Sequence, residues 1–98
     1  MPERTYILSE AADEDLEEIF DYTEKHFGFA QAEKYLLEIE ERLQQLCISP
    51  ELGKRRDEIR EGLYSFPKDS HIIFYRIADD HLRIVRILHG SKDLPLHF

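Results

Sequence analysis

The sequence has little cysteine and no long hydrophobic runs. Its one cysteine, Cys47, cannot form a disulfide within the chain, which agrees with a reducing compartment. Its place at the end of an apolar helical stripe predicts a small core residue. No apolar run approaches the roughly 18 to 20 residues of a membrane span, and residues 1–10 lack the basic and apolar regions of a signal peptide. We therefore expect a cytoplasmic protein.

Basic residues are also scarce. There are 13 Lys and Arg against 21 Asp and Glu, for a net charge of −8. Because phosphate contacts need concentrated positive charge, this balance argues against a protein that works by binding nucleic acid. The charge is divided unevenly, since residues 1–53 hold 14 acidic and 4 basic side chains, whereas residues 54–98 hold 7 and 9. The acidic half is typical of solvated helix faces, but the arginines of the basic half interrupt strand patterns.

The five histidines show no metal-ligand spacing. None forms an i, i+4 pair or lies at ligand spacing from a cysteine or carboxylate, so we expect no metal and no cofactor. Repeats, low-complexity tracts and linkers are absent from the sequence as well. A chain of 98 residues suits a single domain, residues 1–98, with one modest core.

Periodicity predicts a strand followed by two helices in the first half. Thr5 to Leu8 is a strand candidate, and Ser9 is a suitable N-cap for the next helix. Apolar residues then recur every three or four positions up to Gly28, and again until Pro50 and Gly53 end a second helix. The short link predicts an antiparallel helix hairpin. The two stripes comprise Ala12, Leu16, Ile19, Phe20, Thr23 and Phe27, then Ala32, Tyr35, Leu36, Ile39, Leu43, Leu46 and Cys47.

The second half has the period of β-strands. We predict strands over residues 59–66, 71–78 and 82–89, with turns at Pro67-Lys68-Asp69 and Asp79-Asp80. The expected fold class is therefore α+β, in the order β-α-α-β-β-β, with an antiparallel sheet packed on the antiparallel helix hairpin.

The turn at Asp79-Asp80 also predicts a register and an exposed surface. Because two helices can cover only one face of the sheet, the other face should expose an apolar patch rimmed by arginine, as at many partner sites. Two like-charged arginines in that register cost free energy unless an anionic group relieves them. If Ile77 pairs with Leu82, the pairs on this face are Arg76 with Arg83, Phe74 with Val85 and Ile72 with Ile87.

Short motifs recur along nearly the whole chain in a recognisable order. They are Leu8-Ser9, Ala12 and Asp15-Leu16-Glu17-Glu18-Ile19; Gly28, Gln31-Ala32 and Tyr35-Leu36; Pro50 and Gly53; Glu58-Ile59-Arg60-Glu61-Gly62 and Ser65-Phe66; Ser70-His71-Ile72-Ile73-Phe74-Tyr75-Arg76; and Ile84-Val85-Arg86-Ile87-Leu88-His89, with Ser91 and Asp93. Together with the order of elements, they resemble the RelE/ParE superfamily of bacterial toxins from type II toxin–antitoxin systems, and within it the ParE branch.

The resemblance implies a toxin that inhibits DNA gyrase and is neutralised by a ParD-like antitoxin. The antitoxin's C-terminal segment would lie along the helix hairpin and cross the sheet region, which implies a hetero-oligomer. It also implies a protein-binding inhibitor rather than an enzyme, without a catalytic site and without direct contact to nucleic acid or membrane. The expected partner-binding residues are Arg60, Phe74, Arg76, Arg83, Val85, Arg86 and His89.

Two alternatives stay open at this point. RelE-type relatives suggest a ribosome-dependent mRNA endonuclease, which needs cations around the phosphate and a group that transfers protons near neutral pH. The chain offers His89, Arg60, Arg76, Arg83 and Arg86 for this chemistry. However, Tyr64 stands where an arginine is often found, and the basic loop before that strand is reduced to Lys54-Arg55-Arg56. The other alternative is a non-toxic binding module of the same fold.

Arg86 has two equally open interpretations. It is either a contact residue or a buried structural arginine paired with Glu58 or Glu61.

Overall fold

Two helices pack on one five-stranded sheet in the computed structural model, which describes residues 5–91 and residue 98. The sheet order is β1-β5-β4-β3-β2, and its neighbours are antiparallel except β1, which runs parallel to β5. The predicted α+β class and order of elements are confirmed, with one short strand and one turn of 3₁₀ helix (Pro50–Leu52) added. The elements are β1 (Thr5–Leu8), α1 (Glu10–Phe27), α2 (Phe29–Ile48), β2 (Lys54–Arg55), β3 (Leu63–Lys68), β4 (His71–Ile77) and β5 (His81–His89).

Local signals set the helix hairpin as predicted. The Ser9 hydroxyl accepts a hydrogen bond from the Ala12 backbone N–H at 3.0 Å, which caps α1. Gly28 ends α1 with a φ of 93°, a conformation that favours glycine, and α2 begins at the next residue. The chain therefore reverses direction within one residue.

The main core lies between the hairpin and one face of the sheet. Its buried members are Ala12, Ile39, Leu43, Leu46, Cys47, Ile73, Tyr75, Leu82, Ile84 and Ile87. The Tyr75 hydroxyl donates to the Pro50 carbonyl at 2.6 Å and accepts from the Gly53 N–H at 3.0 Å. Burial raises the pKa of Tyr75 to about 12. The neutral phenol therefore holds the connection between α2 and β2 at neutral pH.

Strand β3 begins four residues later than predicted, at Leu63. The Asp57 carboxylate accepts from the Gly62 N–H at 2.9 Å, and Gly62 has a φ of 81°, so the preceding residues form turns instead of a strand. Pro67 and Lys68 belong to β3, and the predicted three-residue turn is wrong. β2 pairs only with Ser65 and Tyr64 of β3, so Pro67 faces an edge where no backbone donor is needed.

The predicted register of β4 and β5 is correct near the turn and wrong beyond Tyr75. Ile77 pairs with Leu82 and Arg76 with Arg83, but a β-bulge follows, because Tyr75 pairs with Ile84 and Phe74 with Arg86. The predicted pairs of Phe74 with Val85 and of Ile72 with Ile87 are therefore wrong. One extra residue reverses the faces beyond it. Ile87 consequently enters the main core, whereas Leu88 packs with Phe74 on the other side.

The second face of the sheet, which turns away from the helices, is largely covered. This contradicts the predicted exposed patch for Phe74, which is fully buried, and its neighbours on this face, Leu63 and Leu88, are buried as well. Ile59 and Phe98 pack against these residues, and the rings of Phe98 and Phe74 lie 4.9 Å apart. Residues distant in sequence thus supply a cover that the two helices cannot.

Candidate functional site

A cleft of about 950 Å³ opens between the helix hairpin and the end of the sheet. Ile19, Tyr22 and Phe27 of α1 line one side, and His71 and His89 lie where β4 begins and β5 ends. Tyr22 and Phe27 are 62% and 69% exposed, so the predicted apolar stripe of α1 continues past the core onto the rim of the cleft. An open cleft with exposed aromatic side chains can receive apolar groups of a partner.

A buried ion pair joins α1 to β5 beside the cleft. Asp15 is 7% exposed, and its two oxygens accept from Nε and Nη2 of Arg86, each at 2.8 Å. One of these oxygens also accepts from the Ile87 N–H at 2.9 Å. The hydrogen bond to Asp15 raises the pKa of Arg86. Arg86 is therefore a paired structural arginine, with Asp15 as its partner instead of the expected Glu58 or Glu61.

Sequence reasoning did not single out Asp15. Its spacing was informative, because it follows Ala12 by three residues and so falls on the apolar face of α1. An acidic residue at such a position needs a partner. The partner lies 71 positions further along the chain, beyond the reach of periodicity.

A polar cluster closes the β4 side of the cleft. The Tyr35 hydroxyl donates to the Lys68 carbonyl at 3.1 Å and lies 2.7 Å from Nδ1 of His71. The Lys68 ammonium is buried beneath Tyr35 and pairs with Glu38 at 2.9 Å and Asp69 at 2.7 Å. Burial, and then the nearby His89, lower the pKa of His71. His71 is therefore held in its neutral form on the cleft wall.

His89 is exposed at the mouth of the cleft. Its ring packs edge-on to that of His71, with the centroids 5.5 Å apart. Its Nδ1 accepts from the Ser91 N–H at 3.1 Å and lies 2.7 Å from the Ser91 hydroxyl. Of the seven partner-binding residues predicted from the sequence, His89 lines this cleft.

The other predicted residues do not join His89. Phe74 is buried, Val85 is half-buried, and Arg60 donates to the Phe98 carbonyl at 2.7 Å. Arg76 and Arg83 lie opposite each other on the second face of the sheet, and Arg83 is exposed. The seven residues therefore do not form one site.

The described residues, 5–91 and 98, contain neither a metal-binding group nor a membrane-spanning helix. Within that part of the chain, no group of three or more His, Cys, Asp or Glu is placed to hold a metal ion. Neither α1 nor α2 is long and apolar enough to cross a membrane.

The structure is therefore that of a small α+β protein with an open cleft beside its helix hairpin. The sequence profile described as "ParE toxin of type II toxin-antitoxin system, parDE" matches residues 6–94. Toxin ParE1 of Mycobacterium tuberculosis is 39% identical over 90 residues, which cover 91% of this chain and 92% of that protein. Toxin ParE1 of Caulobacter vibrioides is 31% identical over 94 residues, 96% of this chain and 97% of that protein. The chain belongs to the ParE toxin family of type II toxin–antitoxin systems, which confirms the resemblance read from the sequence.

Solved structures share the fold at lower sequence identity. A chromosomal ParDE toxin–antitoxin system from Pseudomonas aeruginosa matches with a TM-score of 0.76 at 20% identity, covering 88% of this chain and 95% of that one. The toxin–antitoxin complex RelBE2 from Mycobacterium tuberculosis matches with a TM-score of 0.66 at 22% identity, covering 90% and 99%. The ParDE system and the RelBE2 complex therefore both contain a chain with this fold.

Replacing Asp15 tests the ion pair. Asp15→Ala removes the acceptor of both Arg86 and the Ile87 N–H, and we expect it to lower the free energy of unfolding by about 3 kcal/mol. Urea denaturation followed by circular dichroism measures the change. Glu17→Ala, at an exposed acid on the same helix, is the control and should stay within about 0.5 kcal/mol of the wild type. A loss for Asp15→Ala as small as that of the control would contradict a stabilising pair.

The lowered pKa of His71 predicts a stability that depends on pH. The folded state binds a proton at His71 more weakly than the unfolded state does. The contribution of neutral His71 to the free energy of unfolding is therefore fully present above the ordinary pKa of about 6.5 and declines as the pH falls below it. We expect the free energy of unfolding to fall between pH 7.5 and pH 5.5, and to fall less in His71→Gln. His26→Gln, at an exposed histidine of α1, should keep the wild-type slope. Identical slopes for all three proteins would show that His71 does not contribute.

Proposed function

We propose that this toxin acts in the cytoplasm by inhibiting DNA gyrase, and that a ParD-like antitoxin neutralises it by filling the cleft. One observation favours gyrase inhibition over mRNA cleavage: the histidine and most of the arginines that a nuclease would use lie on opposite faces of the sheet. Membership of the ParE family supports the same target.

The dispersal is clear from the contacts of each side chain. Arg86 is paired with Asp15 beside α1, whereas Arg60 contacts Phe98 on the second face of the sheet. His89 lies at the cleft with Ser91 as its hydrogen-bond partner. Cleavage of a phosphodiester needs cations and a proton-transfer group around one phosphate. In the described residues His89 and Arg86 lie on the helix side of the sheet, whereas Arg60, Arg76 and Arg83 lie on the second face, so the histidine and these three arginines do not surround a single phosphate.

Tyr64 gives further support to this proposal. It stands where an arginine is often found in the nuclease-type relatives, and its ring stacks on that of Tyr75 at 5.4 Å. The Arg55 guanidinium lies 5.6 Å from the Tyr64 ring and pairs with Asp57. Tyr64 therefore has a packing role, and Arg55 beside it is already bound to a carboxylate.

The cleft suits the antitoxin because of its size and its lining. Exposed Tyr22 and Phe27 offer apolar contacts along one helix, and an amphipathic helix that docks in a groove uses anchors of this kind. The structural relatives include toxin–antitoxin complexes, which supports a partner of this class. Occupation of the cleft would bury the exposed aromatic side chains in a hetero-oligomer.

Induced expression in bacteria tests the target. We expect plasmid DNA to lose negative supercoils and the SOS response to rise before protein synthesis stops, because gyrase is the only activity affected directly. Chloroquine gels, an SOS reporter and primer extension on abundant mRNAs measure the three effects. Cut mRNA with unchanged supercoiling would replace gyrase inhibition with the nuclease alternative, and normal growth would favour the non-toxic binding module.

A substitution on the rim of the cleft tests the antitoxin site. Phe27→Asp places a charge where an apolar contact is expected, and it should weaken the complex with the antitoxin by about tenfold or more. Leu37→Asp is the matched control, because Leu37 is 54% exposed and lies outside the cleft lining. Calorimetric titration with the ParD-like antitoxin measures both affinities. Equal affinity of the two variants would place the antitoxin elsewhere.

A further inference from the structure

An arginine pair stands out on the second face of the sheet. Arg76 of β4 and Arg83 of β5 are directly opposite each other, so their side chains leave the sheet on the same side. Arg83 also pairs with Ile7 of β1, so the row of paired residues extends to the edge strand of the sheet. The row therefore places Arg76, Arg83 and Ile7 side by side on the side of the sheet away from the helices, and the Arg76 guanidinium lies against Gly62.

The two arginines lack the partners that the other arginines of residues 54–91 have. Arg55, Arg56 and Arg86 each pair with a carboxylate, and Arg60 donates to a carbonyl. Among residues 5–91 and 98, neither Arg76 nor Arg83 has an ion pair or a side-chain hydrogen bond. Like charges directly opposite each other on a sheet are destabilising. An anionic group between them would turn this repulsion into attraction.

Apolar groups beside the pair are left partly uncovered. Ile7 is 50% exposed and Val85 is half-buried, whereas Phe74 further along the same face lies under Phe98. Within residues 5–91 and 98, Ile59 and Phe98 cover one end of the second face, Val85 packs at the border of that cluster, and the other end, around Ile7, is left open. We call this open end, formed by Ile7, Arg76, Arg83 and Val85, the arginine face.

We infer that the arginine face is the surface with which the toxin binds its target, and that it takes a protein segment carrying a carboxylate and a neighbouring apolar side chain. The carboxylate would lie between Arg76 and Arg83, and the apolar side chain would pack on Ile7. This inference rests on the proposed inhibition of gyrase. It adds a surface separate from the cleft, whose lining includes none of these four residues.

The surroundings favour a protein over a nucleic acid. A polyanion would have to approach Asp79 and Asp80, which form the adjoining turn between β4 and β5. The net charge of −8 would also oppose it. A single carboxylate satisfies the arginine pair without extending to these acids. Arginine is among the residues whose loss weakens protein interfaces most.

A gyrase supercoiling assay with the purified toxin tests the arginine face. The double variant Arg76→Glu/Arg83→Glu should need at least about tenfold more protein for half-inhibition, since it removes two cationic contacts and repels the carboxylate. Lys54→Glu/Arg55→Glu makes the same change of charge on exposed β2, at the opposite edge of the sheet, and should stay within about twofold. Thermal unfolding confirms that each variant folds. If the double variant does not fold, Arg83→Glu alone, at an exposed position, replaces it.

The outcomes separate this inference from the proposed target. Inhibition by the double variant equal to that by the wild type overturns the arginine face. If the wild type does not inhibit gyrase, the proposed target is wrong. The same variants are then compared by the growth arrest that each causes when it is expressed in bacteria. Arrest lost in the double variant and kept in the control supports the surface, whereas arrest kept in both overturns it. If the wild type binds a labelled DNA duplex and the double variant does not, the surface binds nucleic acid. That result would overturn the inference that it binds a protein segment.

Discussion

The Asp15 carboxylate fixes the position of α1 against the sheet. β1 has only four residues and pairs with β5 no further than Ile84, so the remaining edge of β5 needs other partners. Ser9 supplies the first, through its N–H to the Ile84 carbonyl and its hydroxyl to the Val85 carbonyl. Asp15 supplies the next, by accepting from Arg86 and from the Ile87 N–H. A helix therefore completes the sheet edge that the first strand leaves open.

The bulge at Val85 allows β5 to make these edge contacts with Ser9 and Asp15 and still pack its apolar side chains in the core. One added residue turns Ile87 toward the helices and Leu88 toward Phe74, so both faces receive an apolar side chain. Counting from the Asp79-Asp80 turn predicts the pairs up to Ile84 correctly, because a short turn sets the register beside it. A bulge depends on contacts with α1 and β1, which are distant in sequence, and alternation along one strand cannot reveal it.

The difference between local contacts and contacts distant in sequence also explains which parts of the site could be predicted. Caps, helix ends and stripes are local, so Ser9, Gly28 and the buried Cys47 were predicted correctly. The cover over Phe74 comes from Phe98, and the partner of Arg86 comes from α1, so both were missed. The cleft was also missed. Phe27 continued a helical stripe whose pattern does not tell a core contact from an exposed rim.

Most of the arginines in the basic half stabilise the fold, which leaves few for a partner. Arg86 is paired with Asp15, and Arg60 contacts the Phe98 carbonyl, with its guanidinium 5.9 Å from the Phe98 ring. These contacts disperse positive charge across the sheet, whereas catalysis on a phosphate would require it to converge. What the described residues leave open is an apolar cleft on the helix side and the arginine face on the other. Two separate surfaces would allow the proposed antitoxin and the proposed target to bind through different contacts.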